Sequence, residues 1–190
     1  MGRRSRPVVK LVLFGTIVSV AILAGWWIAE QVSRTPSADI GSKGQPVRSP
    51  SKQVVHLYFG DARERHLVAE QRVVEQFDDD VALSRRLIEL LIQGPSQGGS
   101  RTLPPDAKLL ALHITGAGTA FLDFDAESFA AHPGGAAAEL LSIYSIVNTL
   151  VLNVDSVRSV RFLIGGREAA TLVGHADLQE VFEVDMLWVR

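Results

Sequence analysis

The hydrophobic and polar positions divide the chain into three stretches. From Leu11 to Ala29 no charged residue occurs, and a helix of that length spans about 28 Å, close to the ~30 Å hydrocarbon core of a bilayer. Residues 33–53 mix Ser, Pro, Gly and isolated charges without apolar periodicity, which is typical of a disordered spacer. From Val54 onward, short apolar stretches alternate with turn residues and predict a folded domain. The predicted organisation is a basic cytoplasmic tail over 1–10, a transmembrane helix over 11–29, a disordered linker over 30–53 and an α+β domain over 54–190.

The flanks of the apolar stretch predict its orientation. Basic residues precede it, and Trp26 and Trp27 lie at its far end, where indole rings favour the membrane interface. The positive-inside rule then places the N-terminus in the cytoplasm and the domain outside it, in the periplasmic space. A cleaved signal peptide is the alternative, but Ala21–Gly25 offers only a poor cleavage site. We therefore expect an uncleaved, single-pass anchor in the cytoplasmic membrane.

Short β-branched and aromatic stretches bounded by turn residues, a clear alternation over 157–164, and helical spacing predict two strands, a helix, a hairpin, a second helix and a second hairpin. Acidic residues at 78–80 suit the start of the first helix, and Gly94-Pro95 ends it. The predicted strands cover 54–59, 67–75, 108–115, 119–124, 157–164 and 168–173, with a short edge strand within 181–189, and the predicted helices cover 81–93 and 136–154.

The second predicted helix is apolar on most of its circumference. Glu139 is its one charged residue, so the helix must be buried in the domain or cross the membrane. Interspersed Ser, Asn and Thr residues and short flanking loops favour a core helix. Adjacent antiparallel strands combined with two helices predict an α+β fold, in which a mixed or antiparallel sheet carries both helices on one face.

Charge and composition exclude several classes of function. The chain has 190 residues and a net charge of −2; four of its 19 basic residues precede the apolar stretch, which leaves 15 basic and 21 acidic residues beyond it, a net charge of −6. An acidic domain is a poor ligand for nucleic acid, because phosphate binding requires clustered Lys and Arg. Cysteine is absent, which excludes disulfides, thiolate zinc sites, cysteine nucleophiles and the lipidated cysteine of a bacterial lipoprotein.

Catalytic and metal-binding patterns are weak. No Gly-x-Ser-x-Gly elbow occurs, and Ser142 and Ser145 lie on the apolar helix, where serines usually pack. The five histidines form no His-x-x-x-His pair. Asp123-x-Asp125-x-Glu127 resembles the opening of a calcium loop but lacks its glycine and its closing glutamate. We therefore predict no metal, no cofactor and no enzymatic activity; an uncharacterised hydrolase is the alternative.

Asn148 is the polar residue that most needs an explanation. A buried amide without partners costs about 1 to 3 kcal/mol, so we expect Asn148 to tie the helix to a loop or a strand edge, with the stretch after Gly94-Pro95 as the candidate. The alternative is that Asn148 and Tyr144 line a groove for a partner or a glycan. With Thr149 and Arg72, these residues form the set of candidate structural or groove residues.

Five motifs follow one another along the predicted domain. They are HLYF at 56–59 with Glu70-x-Arg72, a helix ending in Gly94-Pro95, Leu103-Pro104-Pro105, YSIVNTL at 144–150, and VRSVRFLIGG at 157–166 leading to GHADL at 174–178. Their order and spacing resemble the GerMN domain, the sporulation and spore germination domain of bacterial envelope proteins. The resemblance covers about residues 54–185.

The resemblance implies a helix-strand-strand-helix-strand core similar to the ring-building motifs of secretion-type assemblies. It also implies an extracytoplasmic module of lipoproteins or membrane-anchored proteins, sometimes found beside cell-wall amidase domains, and it implies no catalytic residue. The chain departs from the namesake protein in carrying one copy of the domain rather than two, and a helix rather than a lipid. A role in spores is therefore not implied.

The expected function is that of a non-catalytic interaction module in the cell envelope. Such a domain would present a sheet face or edge to another envelope protein or to a second copy of itself, with the anchor raising its local concentration. The alternative is a module that binds peptidoglycan, in which Tyr58, Tyr144 and Trp188 would stack on sugars.

Overall fold

A computed structural model describes residues 51–190 of the chain. These residues form two strands, a helix, two strands, a second helix and two further strands, followed by a 3-10 turn. The predicted tail over 1–10, the predicted transmembrane helix over 11–29 and nearly all of the predicted linker over 30–53 lie outside the described residues. They stay predictions.

Strands β1 (Lys52–Gly60) and β2 (Leu67–Glu75) form the first antiparallel pair, as predicted. Along β1, every second side chain enters the core, and Val55, Leu57 and Phe59 are buried. A period of two in burial is the signature of a strand with one buried face, and the strand predicted from the β-branched and aromatic residues at 54–59 is confirmed.

Helix α1 (Asp80–Gln93) begins and ends where the acidic residues and the glycine predict. The carboxylate of Asp79 accepts the backbone N–H groups of Val81 at 3.3 Å and Ala82 at 3.1 Å, which caps the first turn. Gly94 then adopts φ +87°, a backbone conformation that residues with a Cβ rarely adopt. The helix therefore ends at this glycine.

Strands β3 (Leu109–Ile114) and β4 (Thr119–Phe124) form the predicted hairpin, and its antiparallel register shifts at Leu110. Strand β5 (Ser159–Ile164) pairs with β4 in parallel. A parallel pair needs a long crossover, which the second helix supplies.

Helix α2 (Ala136–Asn153) is, among the described residues, the one helix long and apolar enough to cross a membrane. Its side chains Ile143, Ile146, Val147 and Leu150 are each at most 1% exposed within the domain. A helix that is apolar on most of its circumference must be buried in protein or in lipid, and here the domain itself buries it. The predicted core helix is confirmed.

The C-terminal part differs from the prediction. Strand β6 (Phe182–Glu183) pairs antiparallel with β5 and a 3-10 turn follows at Met186–Trp188, so only the first part of 181–189 is an edge strand. The predicted strand over 168–173 is wrong, because this stretch makes only isolated bridges. Its backbone turns around the carboxylate of Glu139, which receives the N–H of Val173, instead of pairing along β5.

The strands form two sheets, β1-β2 and β3-β4-β5-β6. The α+β class and a mixed sheet are confirmed, whereas the expectation of one sheet is wrong. Both sheets and both helices contribute to one hydrophobic core, which includes Phe59, Leu87, Phe124, Ile146 and Phe162. The order α1-β3-β4-α2-β5 is the helix-strand-strand-helix-strand order that the resemblance implies.

Candidate functional site

One face of α2 is polar and lies along the outer edge of β1. Ser145, Thr149 and Asn153 follow one another at intervals of four residues, which places them in a row on the helix. The hydroxyl of Ser145 donates to the Tyr58 carbonyl, and the Tyr58 N–H donates to Thr149 Oγ1 at 3.1 Å. The row therefore takes the place of a neighbouring strand.

Asn153 completes this contact at the next residue pair along β1. Its Oδ1 accepts the His56 N–H at 2.8 Å and its Nδ2 donates to the His56 carbonyl at 2.7 Å. An amide side chain thus satisfies both backbone groups of His56, as a paired strand would. Unpaired strand edges attract other strands, and α2 closes this one.

Asn148 lies outside that row and binds the C-terminal segment. Its Nδ2 donates to the Asp185 carbonyl at 3.0 Å, and its Oδ1 accepts the Asp185 N–H at 3.1 Å. The amide is fully satisfied, as expected, but the suggested partner after Gly94-Pro95 is wrong. That stretch is bound by residues of β2 instead.

Tyr144 faces the same C-terminal segment one turn earlier on α2. Its ring stacks on Trp188 with centroids 5.6 Å apart and planes 17° apart, and it meets Phe182 edge-on at 6.1 Å. Of the candidate residues, Tyr144 and Asn148 therefore both contact the C-terminal segment, while Thr149 binds the backbone of β1. Arg72 lies on β2 and contacts a third region, the loop after α1.

Arg72 and Glu70 hold the loop after α1. Arg72 Nε lies 2.7 Å from the Glu70 carboxylate and its guanidinium donates to the Gly94 carbonyl at 2.6 Å. The same carboxylate accepts the N–H groups of Ser96 at 2.9 Å and Gln97 at 3.0 Å. Burial would raise the pKa of Glu70, but the bonds from Ser96, Arg72 and Gln97 outweigh it and lower the pKa. The Glu70 carboxyl group is therefore in its charged form in the folded domain.

Glu139 holds the loop before β6 in the same way, by accepting backbone N–H groups. It is fully buried and accepts the N–H groups of Val173 at 3.1 Å, His175 at 3.2 Å and Ala176 at 2.9 Å, while His175 Nδ1 lies 2.7 Å away. Burial would raise the pKa of Glu139, but these hydrogen bonds outweigh it and lower the pKa to about 2. In the sequence, Glu139 stands out only as the single charge of an apolar helix, and that isolation was the signal of a buried acceptor.

A serine and a histidine also meet beside a cavity of about 200 Å³, which is lined in part by Pro104, Pro105, His132 and Ser142. His132 Nε2 lies 2.8 Å from Ser142 Oγ. Such a pair has the spacing of a nucleophile and its base. Its protonation decides whether it can act as one.

The neighbouring bonds assign the protons of this pair. The Gly134 N–H donates to His132 Nδ1 at 3.0 Å, so in the neutral ring the proton is on Nε2. Burial lowers the pKa of His132, partly opposed by the charge of Glu139, which favours that neutral ring. Nε2 therefore donates to Ser142 Oγ, whose own hydrogen is then donated to the Thr102 or the Ala138 carbonyl. In this state the imidazole offers no lone pair to the serine hydroxyl, which a general base must do.

Of the three residues that resemble a calcium loop, Asp123 binds a turn. Asp123 Oδ1 accepts the Gly166 N–H at 2.8 Å, which holds the turn after β5. Within residues 51–190 no group of three or more His, Asp or Glu side chains is placed to hold a metal ion.

The chain is similar to known proteins in sequence and in fold. Residues 56–170 match the model of the Germane family, described as sporulation and spore germination. None of the curated proteins compared with the chain matches it.

Solved structures share the fold. A Clostridium perfringens protein described as a putative lipoprotein is 29% identical, with a TM-score of 0.50 over 70% of this chain and 88% of that one. The tandem GerMN domains of the sporulation protein GerM from Bacillus subtilis give a TM-score of 0.58 at 23% identity, over 70% of this chain and 46% of that one. The first GerMN domain of the same protein gives 0.57 at 20% identity, over 71% of this chain and 98% of that domain. The chain thus spans about half of the tandem protein and nearly all of one domain.

Proposed function

Because this chain belongs to the Germane family of sporulation and spore germination domains, we propose that it is a membrane-anchored, extracytoplasmic module of the bacterial cell envelope that binds protein and catalyses no reaction. In this proposal the apolar stretch over 11–29 holds the chain in the membrane, with the N-terminus in the cytoplasm. The domain over 51–190 carries the binding surface.

The observation that carries the proposal is the use of the polar side chains on α2. Ser142, Ser145, Asn148 and Asn153 each bind backbone groups of another segment. Glu139 does so as well. Groups committed in this way support the fold, and a nucleophile or base would have to give up such a bond in order to react.

Exposed apolar side chains support protein binding. Val181, Val184, Met186 and Leu187 follow one another at the C-terminal end, and Leu187 is 88% exposed. Contiguous apolar surface on a soluble domain commonly marks a site of protein contact. These four exposed side chains lie within residues 181–187, and we take this segment as the candidate contact surface.

The aromatic residues favour a protein partner over peptidoglycan. Tyr58 is buried, and Tyr144 and Trp188 stack on each other. Stacking on a sugar requires an open ring face, and these contacts occupy at least one face of each half-buried ring. The peptidoglycan-binding alternative is tested by the experiment below.

Two facts support a location in the cell envelope. The Clostridium perfringens relative is described as a putative lipoprotein, a class of protein held at a membrane by lipid. This chain has no cysteine to carry such a lipid but has an uncharged stretch of membrane-spanning length. A helical anchor would hold the domain in the same compartment.

The proposal is tested with the tagged full-length chain in its own cells. Formaldehyde treatment should link it to protein, and residues 51–190 should stay in the supernatant when purified cell wall is sedimented. Retention on the wall without any protein adduct would contradict the proposal and favour the peptidoglycan alternative.

The orientation is tested with a reporter that is active only in the periplasm. It should be active when fused to the C-terminus and inactive when fused to the N-terminus; activity at the N-terminus would contradict the orientation.

A further inference from the structure

The four-stranded sheet has two open edges. Its order is β3-β4-β5-β6, and within the described part of the chain neither β3 nor β6 pairs with a second strand. Open edges pair readily with other strands unless proline, charge or a covering element blocks them. The β1 edge has such a cover in α2. Among the described residues no side chain binds the backbone of β3 or β6, and the cover next to β6 is limited to Asn148 on Asp185.

The β3 edge borders an apolar groove with a basic rim. A cavity of about 460 Å³ between α1 and β3 is lined by Ile88, Ile92, Ala107 and Leu109 among others. The adjacent Leu110 is 53% exposed. This edge can therefore accept both a strand and apolar side chains.

The charges at the rim leave a net positive groove. Glu89 pairs with Arg86 at 3.0 Å, while Arg85 and Lys108 make no ion pair with any described residue. Lys108 also borders a second cavity that contains Asp106 among other acids. Arg85 is thus the cation that belongs to the groove alone.

The β6 edge has the opposite character. Residues 180–187 read EVFEVDML and place three acidic residues among five apolar ones. Val181, Val184 and Met186 are between 39% and 52% exposed, and Glu180 and Glu183 are exposed beside them. An acidic, apolar, partly extended segment therefore lies at one end of the sheet, and a basic apolar groove lies at the other.

Strand directions permit the two ends to meet. β3 is antiparallel to β4, β4 is parallel to β5, and β5 is antiparallel to β6, so β3 and β6 run in the same direction. A second copy in the same orientation would continue the sheet by placing its β3 beside β6. A symmetric β6–β6 contact would instead bring Glu183 near its own copy, and a symmetric β3–β3 contact would bring two basic groove rims together.

We propose that the occupant of the β3 groove is the β6 segment, residues 180–187, of a second copy of this chain, in a head-to-tail contact. Apolar side chains of the segment enter the groove beside Ile88 and Leu109, and its acids meet Arg85. This inference rests on the proposed function, of which it names the surface and one partner. A heterologous contact of this kind adds further copies in series, and anchoring in one membrane raises their local concentration.

The test uses the absence of cysteine from the chain. The full-length double variant Leu110→Cys with Val184→Cys is oxidised in membranes and separated on a non-reducing gel. Both sites are exposed, so the substitutions should leave the fold intact. The expected result is a ladder of dimers and higher multiples that collapses to monomer on reduction. The matched control pairs Val184→Cys with Val73→Cys, on the exposed face of β2, and should give no ladder.

The single variants separate the possible symmetries. A dimer from Val184→Cys alone would show a β6–β6 contact, and a dimer from Leu110→Cys alone would show a β3–β3 contact; either result would overturn the proposal. In the double variant, Arg85→Glu should weaken the ladder about two- to fivefold. The same change at the exposed Arg63, away from both edges, should leave it intact.

The outcome separates the inference from the function on which it rests. If formaldehyde recovers protein partners but the double variant gives no ladder, the head-to-tail contact is wrong and the interaction module stands. If neither adducts nor a ladder form, both are wrong. The unmodified residues 51–190 give an independent reading, because their sedimentation mass should rise with concentration and a constant monomer mass would overturn the proposal.

Discussion

Two buried carboxylates hold two loops of this domain, in different electrostatic settings. Glu70 on β2 has a permanent cation beside it, because Arg72 Nε lies 2.7 Å away. Glu139 on α2 has an imidazole instead, with His175 Nδ1 at 2.7 Å, and an imidazole is charged only when protonated. Both carboxylates also accept backbone N–H groups from a loop, and Glu70 in addition accepts the Ser96 hydroxyl at 2.7 Å.

The comparison shows how the two loops differ in their dependence on one group. Around Glu70, Arg72 also binds the Gly94 carbonyl and lies over the Phe59 ring at 5.4 Å, so the loop after α1 has several separate attachments. Around Glu139, three backbone N–H groups and one side chain converge on one carboxylate. The loop before β6 should therefore be the more sensitive to loss of its acid.

Glu139→Ala should have the largest effect, a loss of about 3 to 5 kcal/mol in the free energy of unfolding, because three N–H groups lose their buried acceptor. Urea unfolding of residues 51–190 measures it, with Trp188 as the one tryptophan of that fragment. Glu127→Ala, at an exposed glutamate, is the control and should change stability by less than about 0.5 kcal/mol. A loss no larger than that of the control would contradict the role given to Glu139.

Glu70→Ala should cost less, about 2 to 3 kcal/mol, since Arg72 keeps its bond to Gly94 and its contact with Phe59. The same unfolding measurement gives the difference between the two variants. A loss equal to or larger than that of Glu139→Ala would break the comparison, because the additional attachments would then contribute nothing.

Arg72→Lys should cost about 1 to 2 kcal/mol, because an ammonium group cannot bind Glu70 and Gly94 in the planar arrangement of a guanidinium. Arg86→Lys, at a surface ion pair with Glu89, is the matched control and should fall within about 0.5 kcal/mol of wild type. If both variants unfold at the same urea concentration as wild type, the Arg72 attachment is not the reason for the difference between the loops.

His175→Ala should have the smallest effect, about 1 kcal/mol or less, because its side chain is 54% exposed and the three N–H bonds to Glu139 remain. Thermal unfolding beside Glu139→Ala ranks the two changes. A loss as large as that of Glu139→Ala would mean that the imidazole, and not the backbone, holds the loop.

Much of the fold follows from local patterns. The β-branched and aromatic stretch of β1, the acidic residues before α1 and the turn between β3 and β4 are local signals, and the structure has the corresponding elements. The Glu70-x-Arg72 motif was noted through its resemblance to the GerMN domain, and both of its residues lie on one face of one strand. These features depend on neighbours in sequence.

The features that the sequence did not predict depend on distant partners. Glu139 binds residues 34 to 37 positions away, and no periodicity shows that residues 168–173 will turn around a carboxylate rather than pair with β5. The row of Ser145, Thr149 and Asn153 was visible as a spacing, but its partner, the edge of β1, lies about 90 residues earlier. Such partners are set by tertiary packing, which one sequence does not reveal.

The central claim is that a buried, ionised Glu139 holds the fold rather than performing chemistry, and its pH dependence tests this most directly. The folded pKa of about 2 lies below the ordinary value of 4.5, so the stabilisation is complete above about pH 5 and is lost as the pH falls toward 2; the shift corresponds to about 3 kcal/mol. The measurement is the free energy of unfolding of wild type and Glu139→Gln from pH 7 to pH 2.5. We predict that the two curves lie far apart at neutral pH and converge in acid. Parallel curves would contradict the claim.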